Sequence, residues 1–411
     1  MDRKTGFWWS PDSKYIAFAE VDSAEIPLFR IMHQGKSSVG SDAQEDHAYP
    51  FAGAANVKVR LGVVPASGGE VTWMDLICGL QDDVGGDEEY LTRVNWMPDN
   101  SLTAQVLSRS HSKLKIFKFD IQTGKKKVLL VEEHETWINL HDCFTPLEKG
   151  VNCSSGGFIW ASEKTGFRHL YHHDNNGVCL GPLTQGNWMV EQIAGINENA
   201  GLLYFTGTVD GPLESNLYSQ ANCPFCWQLD NRGTARRGLE FEGHIKHSFG
   251  SIDAEDQLTG AEWLVRQGLA KVDHIGLYGW SYGGFLSAMS LARFPDTFRC
   301  AVSGAPVTSW DGYDTFYTEK YMGSPKANPD AYEFGSIMHH VHKIKGRLML
   351  VHGMIDENVH FRHTARLINS LIAAGKPYEL LLFPDERHMP RRLRDRVYME
   401  ERIWEFIERN L

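Results

Sequence analysis

One serine in this chain is set among glycines in a way that suits nucleophilic chemistry: Gly279-Trp280-Ser281-Tyr282-Gly283-Gly284, which contains the pattern G-x-S-x-G. The glycines permit a sharp turn from a strand into a helix, which exposes the serine hydroxyl in strained geometry. The helix N-terminus that follows favours developing negative charge. The bland alternative is a glycine-rich turn with no chemistry. A serine hydroxyl needs a base to attack anything, and after this motif the partners are expected in the order acid, then histidine. Asp356, in His352-Gly353-Met354-Ile355-Asp356-Glu357-Asn358, and His388, in Pro384-Asp385-Glu386-Arg387-His388, satisfy that order. Glu357, Asp385 and Glu386 compete for the acid, and His352, His360 and His363 for the base. Placement at the carboxyl ends of predicted strands favours Asp356 and His388. His388 would then take the proton of Ser281, and Asp356 would hold the other ring nitrogen. His360-x-x-His363 has the spacing of a metal pair but lacks the H-E-x-x-H context, so this reading contains no metal and no cofactor.

The elements that must position these residues alternate between strand and helix. Ile252 to Gly268 reads as helix, His274 to Tyr278 as a short buried strand, and Phe285 to Phe294 as helix. Arg347 to His352 reads as strand, Thr364 to Ala374 as helix and Tyr378 to Phe383 as strand. From about Leu393 to Leu411 the spacing places Ile403, Trp404, Ile407 and Leu411 on one helical face. Such alternation implies βαβ units and a mostly parallel sheet. After a further strand, Trp310, Tyr313, Phe316, Tyr317 and Tyr321 cluster. They are either packing residues or an apolar wall for a flat side chain such as proline.

The first half has a different texture. Trp9-Ser10-Pro11-Asp12-Ser13 and Trp96-Met97-Pro98-Asp99-Asn100 are related turns, each leading into an apolar run, Tyr15 to Ala19 and Leu102 to Leu107. Lys113 to Phe119, Phe158 to Ala161, Leu170 to His173 and Leu202 to Thr206 read as further strands. Recurring short strands with W-x-P-D turns suggest propeller blades, with a sandwich as the alternative. The character changes near residues 219–227.

The chain has 411 residues, enough for two or three domains. A net charge of −11 argues against nucleic acid as a partner, and Lys125-Lys126-Lys127 reads as a solvated turn or strand end. No run of apolar residues is long enough for a membrane span, and Met1-Asp2-Arg3-Lys4 opens no apolar signal segment. Seven scattered cysteines do not resemble a disulfide framework, so a reducing, cytoplasmic setting is expected. Cys223-Pro-Phe-Cys226 has CxxC spacing without a second pair.

At several long motifs the sequence resembles the prolyl oligopeptidase family of serine peptidases, within it the dipeptidyl peptidase IV group, and is similar to plant relatives of dipeptidyl peptidases 8 and 9. The motifs are GWSYGG from Gly279, LDNRGTARRG from Leu229, APVTSWDGYDTFYTEKYMG from Ala305, HGMIDENVHF from His352 and FPDERHMPR from Phe383. GFWWSPDSKYIAFAEVD from Gly6 and YPFAGAANVKV from Tyr49 extend the likeness into the first half. The resemblance implies a β-propeller, eight-bladed in the family and partial here over 1–222, joined to an α/β-hydrolase domain over 223–411. It implies release of an N-terminal dipeptide after a penultimate proline or alanine, with Ser281, Asp356 and His388 as the triad. It further implies a proline pocket of Trp310, Tyr313, Tyr317, Val307 and Val359, a carbonyl-holding role for Asn358, the Tyr282 backbone N–H as an oxyanion donor, and homodimerisation.

The family pattern also includes a Glu-Glu pair just ahead of the segment that here begins at Met1, and a YGGP-type segment between the two domains. Here Ser219-Gln220-Ala221 runs almost directly into Trp227-Gln228-Leu229-Asp230. The chain therefore reads as a shortened form lacking late propeller strands and the first strands of the hydrolase sheet. Two alternatives follow: an inactive or weakly active form acting as an interaction protein, and a less specific serine hydrolase.

Overall fold

The computed structural model describes residues 5–36, 40–77, 89–148, 156–198, 202–208, 211 and 227–411. The Cys223–Cys226 pair and most of the 219–227 junction lie outside the described residues. The chain forms two compact units. The first comprises Met1–Glu25, Asn56–Trp227 and Gly233–Gly243; the second comprises Ile26–Ala55, Gln228–Arg232 and His244–Leu411.

In chain order the first two strands are β1 (Phe7–Trp9) and β2 (Tyr15–Asp22), followed by a hairpin of β3 (Leu28–Met32) and β4 (Gln44–Ala48) that belongs to the second unit. Then β5 (Lys58–Pro65) and β6 (Thr72–Trp73) complete an antiparallel sheet of order β1-β2-β5-β6. A second sheet is a simple meander of β7 (Glu89–Trp96), β8 (Leu102–Ser108), β9 (Lys113–Phe119) and β10 (Lys126–Glu133). A third has the same topology in β11 (Thr145–Leu147), β12 (Gly157–Ser162), β13 (His169–His173) and β14 (Cys179–Pro182). A pair, β15 (Val190–Asn197) and β16 (Leu202–Gly207), follows.

The W-x-P-D turns are built as their chemistry requires. Each needs one residue with positive φ, and here that residue is Ser13 or Asn100 rather than glycine. In the first turn, Ser10 Oγ donates to Asp12 and accepts from the N–H groups of Lys14 and Tyr15. In the second, Asp99 Oδ1 accepts from the Ser101 N–H. Side chains from the first two sheets form one core, in which Ala17, Leu61, Leu102, Ala104, Val106, Phe117 and Phe119 are almost wholly buried. Lys126 starts β10 and pairs with Asp75 at 3.0 Å, consistent with a strand end at the basic run.

The second unit alternates strand and helix. After a short α1 (Leu239–Gly243), which belongs to the first unit, come α2 (Ile252–Arg266), β17 (Gly276–Trp280), α3 (Tyr282–Arg293) and β18 (Cys300–Gly304). Three short helices, α4 (Thr315–Met322), α5 (Pro329–Phe334) and α6 (Ile337–His340), lead to β19 (Arg347–Gly353). Then α7 (Arg362–Ala373), β20 (Tyr378–Phe383) and α8 (Leu393–Asn410) close the chain. The four strands form a wholly parallel sheet in sequence order, β17-β18-β19-β20. β18 and nearly all of β19 are buried, as strands covered on both faces must be. Met399, Ile403 and Phe406 of α8 pack on this sheet, so the buried helical face runs through Phe406 where the sequence pattern suggests Trp404. Every residue of α3 from Gly284 to Ala292 is buried, which explains its run of small and apolar side chains.

Candidate active site

The nucleophile turn is set by backbone sterics. Ser281, between β17 and α3, has φ 58° and ψ −116°, a conformation that a residue with a side chain adopts only at a cost. A Cβ on Gly279 would stand 2.2 Å from the Gly283 carbonyl oxygen, and one on Gly284 would stand 2.3 Å from that of Gly304. These two positions must be glycine for the turn to close and for α3 to lie against β18. The Ser281 N–H donates to the Gly304 carbonyl at 2.8 Å, and Ser281 accepts from Phe285 through its own carbonyl. Among the described residues no hydrogen bond joins Ser281 Oγ to His388, whose contacts are to Asp356 and Trp280. The Tyr282 N–H, in the first turn of α3, has no backbone acceptor among the described residues. The Tyr282 side chain turns away into the core, where its hydroxyl donates to Asp253 at 2.6 Å. Burial raises the pKa of both groups.

Asp356 follows β19 and is almost fully buried. Its Oδ1 accepts the N–H groups of Asn358 and Val359, both at 2.9 Å. Its Oδ2 accepts from His388 Nδ1 at 2.7 Å and from His352 Nε2 at 3.2 Å. Burial opposes its charge, but the hydrogen bonds from His352 and His388 outweigh burial and bring its pKa down to about 2. His388 follows β20, and its carbonyl accepts the indole N–H of Trp280 at 2.7 Å, which ties the histidine loop to the nucleophile turn. Gly353 allows the loop to come this close: a Cβ there would meet the Arg387 carbonyl oxygen at 2.1 Å.

The histidine loop is held further by charge. Arg387 makes two bonds to Glu45 of β4, at 3.0 and 3.2 Å, and one to Glu357 at 2.9 Å. These carboxylates hold the guanidinium pKa above its ordinary range. Glu386 accepts from the N–H and the guanidinium of Arg391. Glu357 and Glu386, competitors for the acid on sequence grounds, are thus loop braces. The competing histidines are also accounted for. His363 Nε2 faces the Gly312 carbonyl, and burial lowers its pKa to about 3. His360 stacks on Phe29 with ring centroids 3.7 Å apart, and burial lowers its pKa to about 4.

The aromatic cluster lies in the same unit. Trp310 is fully buried, stacks on Tyr317 at 6.1 Å and meets Tyr313 edge-on. Tyr313 donates to Asn358 Oδ1 at 2.7 Å, and burial raises the pKa of both Tyr313 and Tyr317. Val307 and Val359 are buried. Of this cluster, Phe316 and Tyr321 are the members without a role in the predicted site, and Tyr321 packs against Tyr317 and Phe249.

The hairpin is what sequence reasoning missed. Tyr49 donates to the Asn358 carbonyl at 3.1 Å, and the chain around Phe51 pairs with Asp314, with the Ala52 N–H on the Tyr313 carbonyl at 2.9 Å. The signal was YPFAGAANVKV itself: an aromatic-rich motif inside a segment otherwise read as strands of the first half.

Comparisons with known proteins bear on the family and the fold. Residues 1–221 match the model of the dipeptidyl peptidase IV N-terminal region, and residues 217–411 match that of the prolyl oligopeptidase family. Dipeptidyl peptidase 8 of Mus musculus is 28% identical over 616 aligned positions, covering 100% of this chain and 68% of the relative. Those 616 positions face a chain of 411 residues, so many positions of the relative within the aligned region have no counterpart here. Inactive dipeptidyl peptidase 10 of Mus musculus is 22% identical, covering 92% of this chain and 65% of the relative. The fold is shared with the crystal structure of Porphyromonas gingivalis dipeptidyl peptidase 4, with a TM-score of 0.86 at 22% identity over 98% of this chain and 74% of that one. The chain belongs to the dipeptidyl peptidase IV group of the prolyl oligopeptidase family.

Proposed function

We propose that this chain is a serine-type dipeptidyl peptidase that releases N-terminal dipeptides after a penultimate proline or alanine. One observation carries the reading. Asp356 Oδ2 holds His388 Nδ1 at 2.7 Å, while the His388 carbonyl is tied at 2.7 Å to Trp280, the residue preceding a serine in nucleophile-turn geometry. In this mechanism His388 Nε2 takes the Ser281 proton as Oγ attacks the peptide carbonyl carbon. The ionised Asp356 stabilises the imidazolium. The oxyanion forms beside the Tyr282 N–H at the start of α3, where the helix dipole favours it. Collapse breaks the C–N bond, and His388 returns the proton to the leaving amine. Water, deprotonated by His388, then cleaves the acyl-enzyme. Trp310, Tyr313, Tyr317, Val307 and Val359 form the pocket for proline, and Asn358 holds a substrate carbonyl.

The same reading assigns residues 1–222 to a partial β-propeller, with its four-stranded meanders in support, and 223–411 to a hydrolase domain without its first strands, although Ile26–Ala55 folds with the second unit and Gly233–Gly243 with the first. It places the protein in the cytoplasm, acting on peptides as a homodimer. Among the described residues no helix is long and apolar enough to cross a membrane.

A second reading, a weakly active or inactive interaction protein, draws on the positions of the relative that have no counterpart here and on the match to an inactive relative. Labelling with a fluorophosphonate probe separates the two. The peptidase reading expects covalent labelling of the wild type that is lost in Ser281→Ala and His388→Ala, followed by cleavage of a Gly-Pro amide. A folded chain that takes no label would leave the interaction reading in place. Labelling with cleavage of esters or blocked peptides, but not of Gly-Pro amides, would point to the less specific hydrolase.

A further inference from the structure

The triad histidine is not the only histidine on the triad acid. His352, at the end of β19, is fully buried, and its Nε2 faces two acceptors, Asp356 Oδ2 at 3.2 Å and the Val359 carbonyl at 2.8 Å. A nitrogen between two acceptors must carry a proton. The opposite nitrogen, Nδ1, lies 2.7 Å from the Thr364 hydroxyl on α7, itself fully buried, and with Nε2 protonated it accepts the hydroxyl's proton. Phe361 packs edge-on against the ring, with centroids 5.6 Å apart. Asp356 therefore has two backbone donors on one oxygen and two imidazole donors on the other.

We propose that His352 is a positioning residue for the triad, a second imidazole that fixes the rotation of the Asp356 carboxylate from behind and so sets the direction in which His388 presents Nε2 to Ser281. The inference rests on the peptidase reading of Ser281, Asp356 and His388. Without this donor, Oδ2 would keep one buried lone pair unsatisfied, and the carboxylate could turn away from His388. The Nε2–H is shared with the Val359 carbonyl, so His352 also pins the turn that brings Asn358 and Val359 onto Oδ1. Thr364 extends the brace into α7, making a chain of Thr364, His352, Asp356 and His388.

The test compares His352→Leu, which removes the donor, with His352→Gln, whose side-chain amide can place an N–H near the position of Nε2. The readout is the maximal rate of Ser281 labelling by a fluorophosphonate, separated from probe affinity. His352→Leu is expected to lower that rate roughly 10–100-fold, the range for one hydrogen bond to a charged group, with probe affinity little changed. His352→Gln should recover most of the loss. Thr364→Val, which keeps the shape of the side chain and loses the hydroxyl, should show a smaller decrease in the same rate and serves if His352→Leu does not fold.

A second readout does not depend on turnover. In protein carrying 15N-labelled histidine, the His388 Nδ1–H and His352 Nε2–H should both resonate at low field. His352→Leu should remove one signal and shift the other, and Thr364→Val should shift both. Wild-type labelling rates together with an unmoved His388 signal would overturn the proposal and leave the peptidase reading intact. A shifted His388 signal in a wild-type background that never labels would uphold the brace and defeat the peptidase reading instead.

Discussion

The nucleophile turn and the histidine loop face the same chemistry but are held in opposite ways. Around Ser281 the backbone does the holding: a strained φ, two glycines with a carbonyl oxygen 2.2 or 2.3 Å from where a Cβ would stand, and a buried helix of small and apolar residues behind it. Around His388 the side chains do it: Arg387 between Glu45 and Glu357, Glu386 under Arg391, and Trp280 on the His388 carbonyl. A turn fixed by backbone contacts fails as a whole when one atom is added. A loop fixed by several polar contacts loses its geometry by degrees as each is removed.

The largest effect expected from this contrast is at the turn. Gly284→Ala should abolish fluorophosphonate labelling and destabilise the second unit by roughly 1–3 kcal/mol, the usual cost of forcing atoms into a packed site. Thermal unfolding alongside labelling would check both. A variant that labels normally would show that the turn relaxes and would break the comparison.

Next in size is Arg387→Ala. It removes three bonds to carboxylates from a partly exposed group, so the labelling rate should fall roughly 3–10-fold while the melting temperature moves by only a few degrees. Glu45→Gln leaves the Glu357 contact in place and should cost less than Arg387→Ala, about 2–3-fold in rate. In a double-mutant cycle the two changes should be less than additive, because they remove a shared bond. Additive losses would mean that the hairpin and the loop act separately.

The smallest expected effect is on pH dependence. His363 and His360 titrate in the folded chain near 3 and 4, below the ordinary histidine range near 6.5. The unfolded chain therefore takes up protons that the folded chain refuses. Their stabilising contribution is complete above about pH 6.5 and drains as pH falls toward 4 and 3. Asp356, held near 2, adds a later loss that begins only below about pH 4. Melting temperatures measured from pH 7 to 4 should decline before the carboxylate range is reached, and less steeply in His360→Phe. A flat profile down to pH 4.5 would contradict this assignment.

How much of this was legible in the sequence follows the same divide. The glycine pattern, the order of serine, acid and histidine, and the strands Lys113–Phe119 and Tyr378–Phe383 are local properties, and the strands stand where periodicity places them. The strand Cys300–Gly304 has no alternation to delimit it, because both of its faces are covered. Roles that depend on distant partners could not be read. Nothing around Glu45 announces Arg387, nothing around Tyr49 announces Asn358, and Trp404 and Phe406 are equally plausible helix-face residues until the sheet chooses between them.

The hairpin that folds with the second unit also fixes an order of events during synthesis. Its strands leave the ribosome early, yet Glu45 reaches its partner only after 342 further positions have been made. Until residue 360 has been made, the aromatic side chains of Phe29, Tyr49 and Phe51 have no His360 to pack against. Closing so long a loop adds contacts of high sequence separation, which slows folding and prolongs the exposure of apolar surface. The C-terminal half expressed from Gln228 onward would lack these residues altogether and would leave His360 and the Asn358 turn uncovered. Nascent chains stalled before residue 360 should therefore engage chaperones more strongly than released ones.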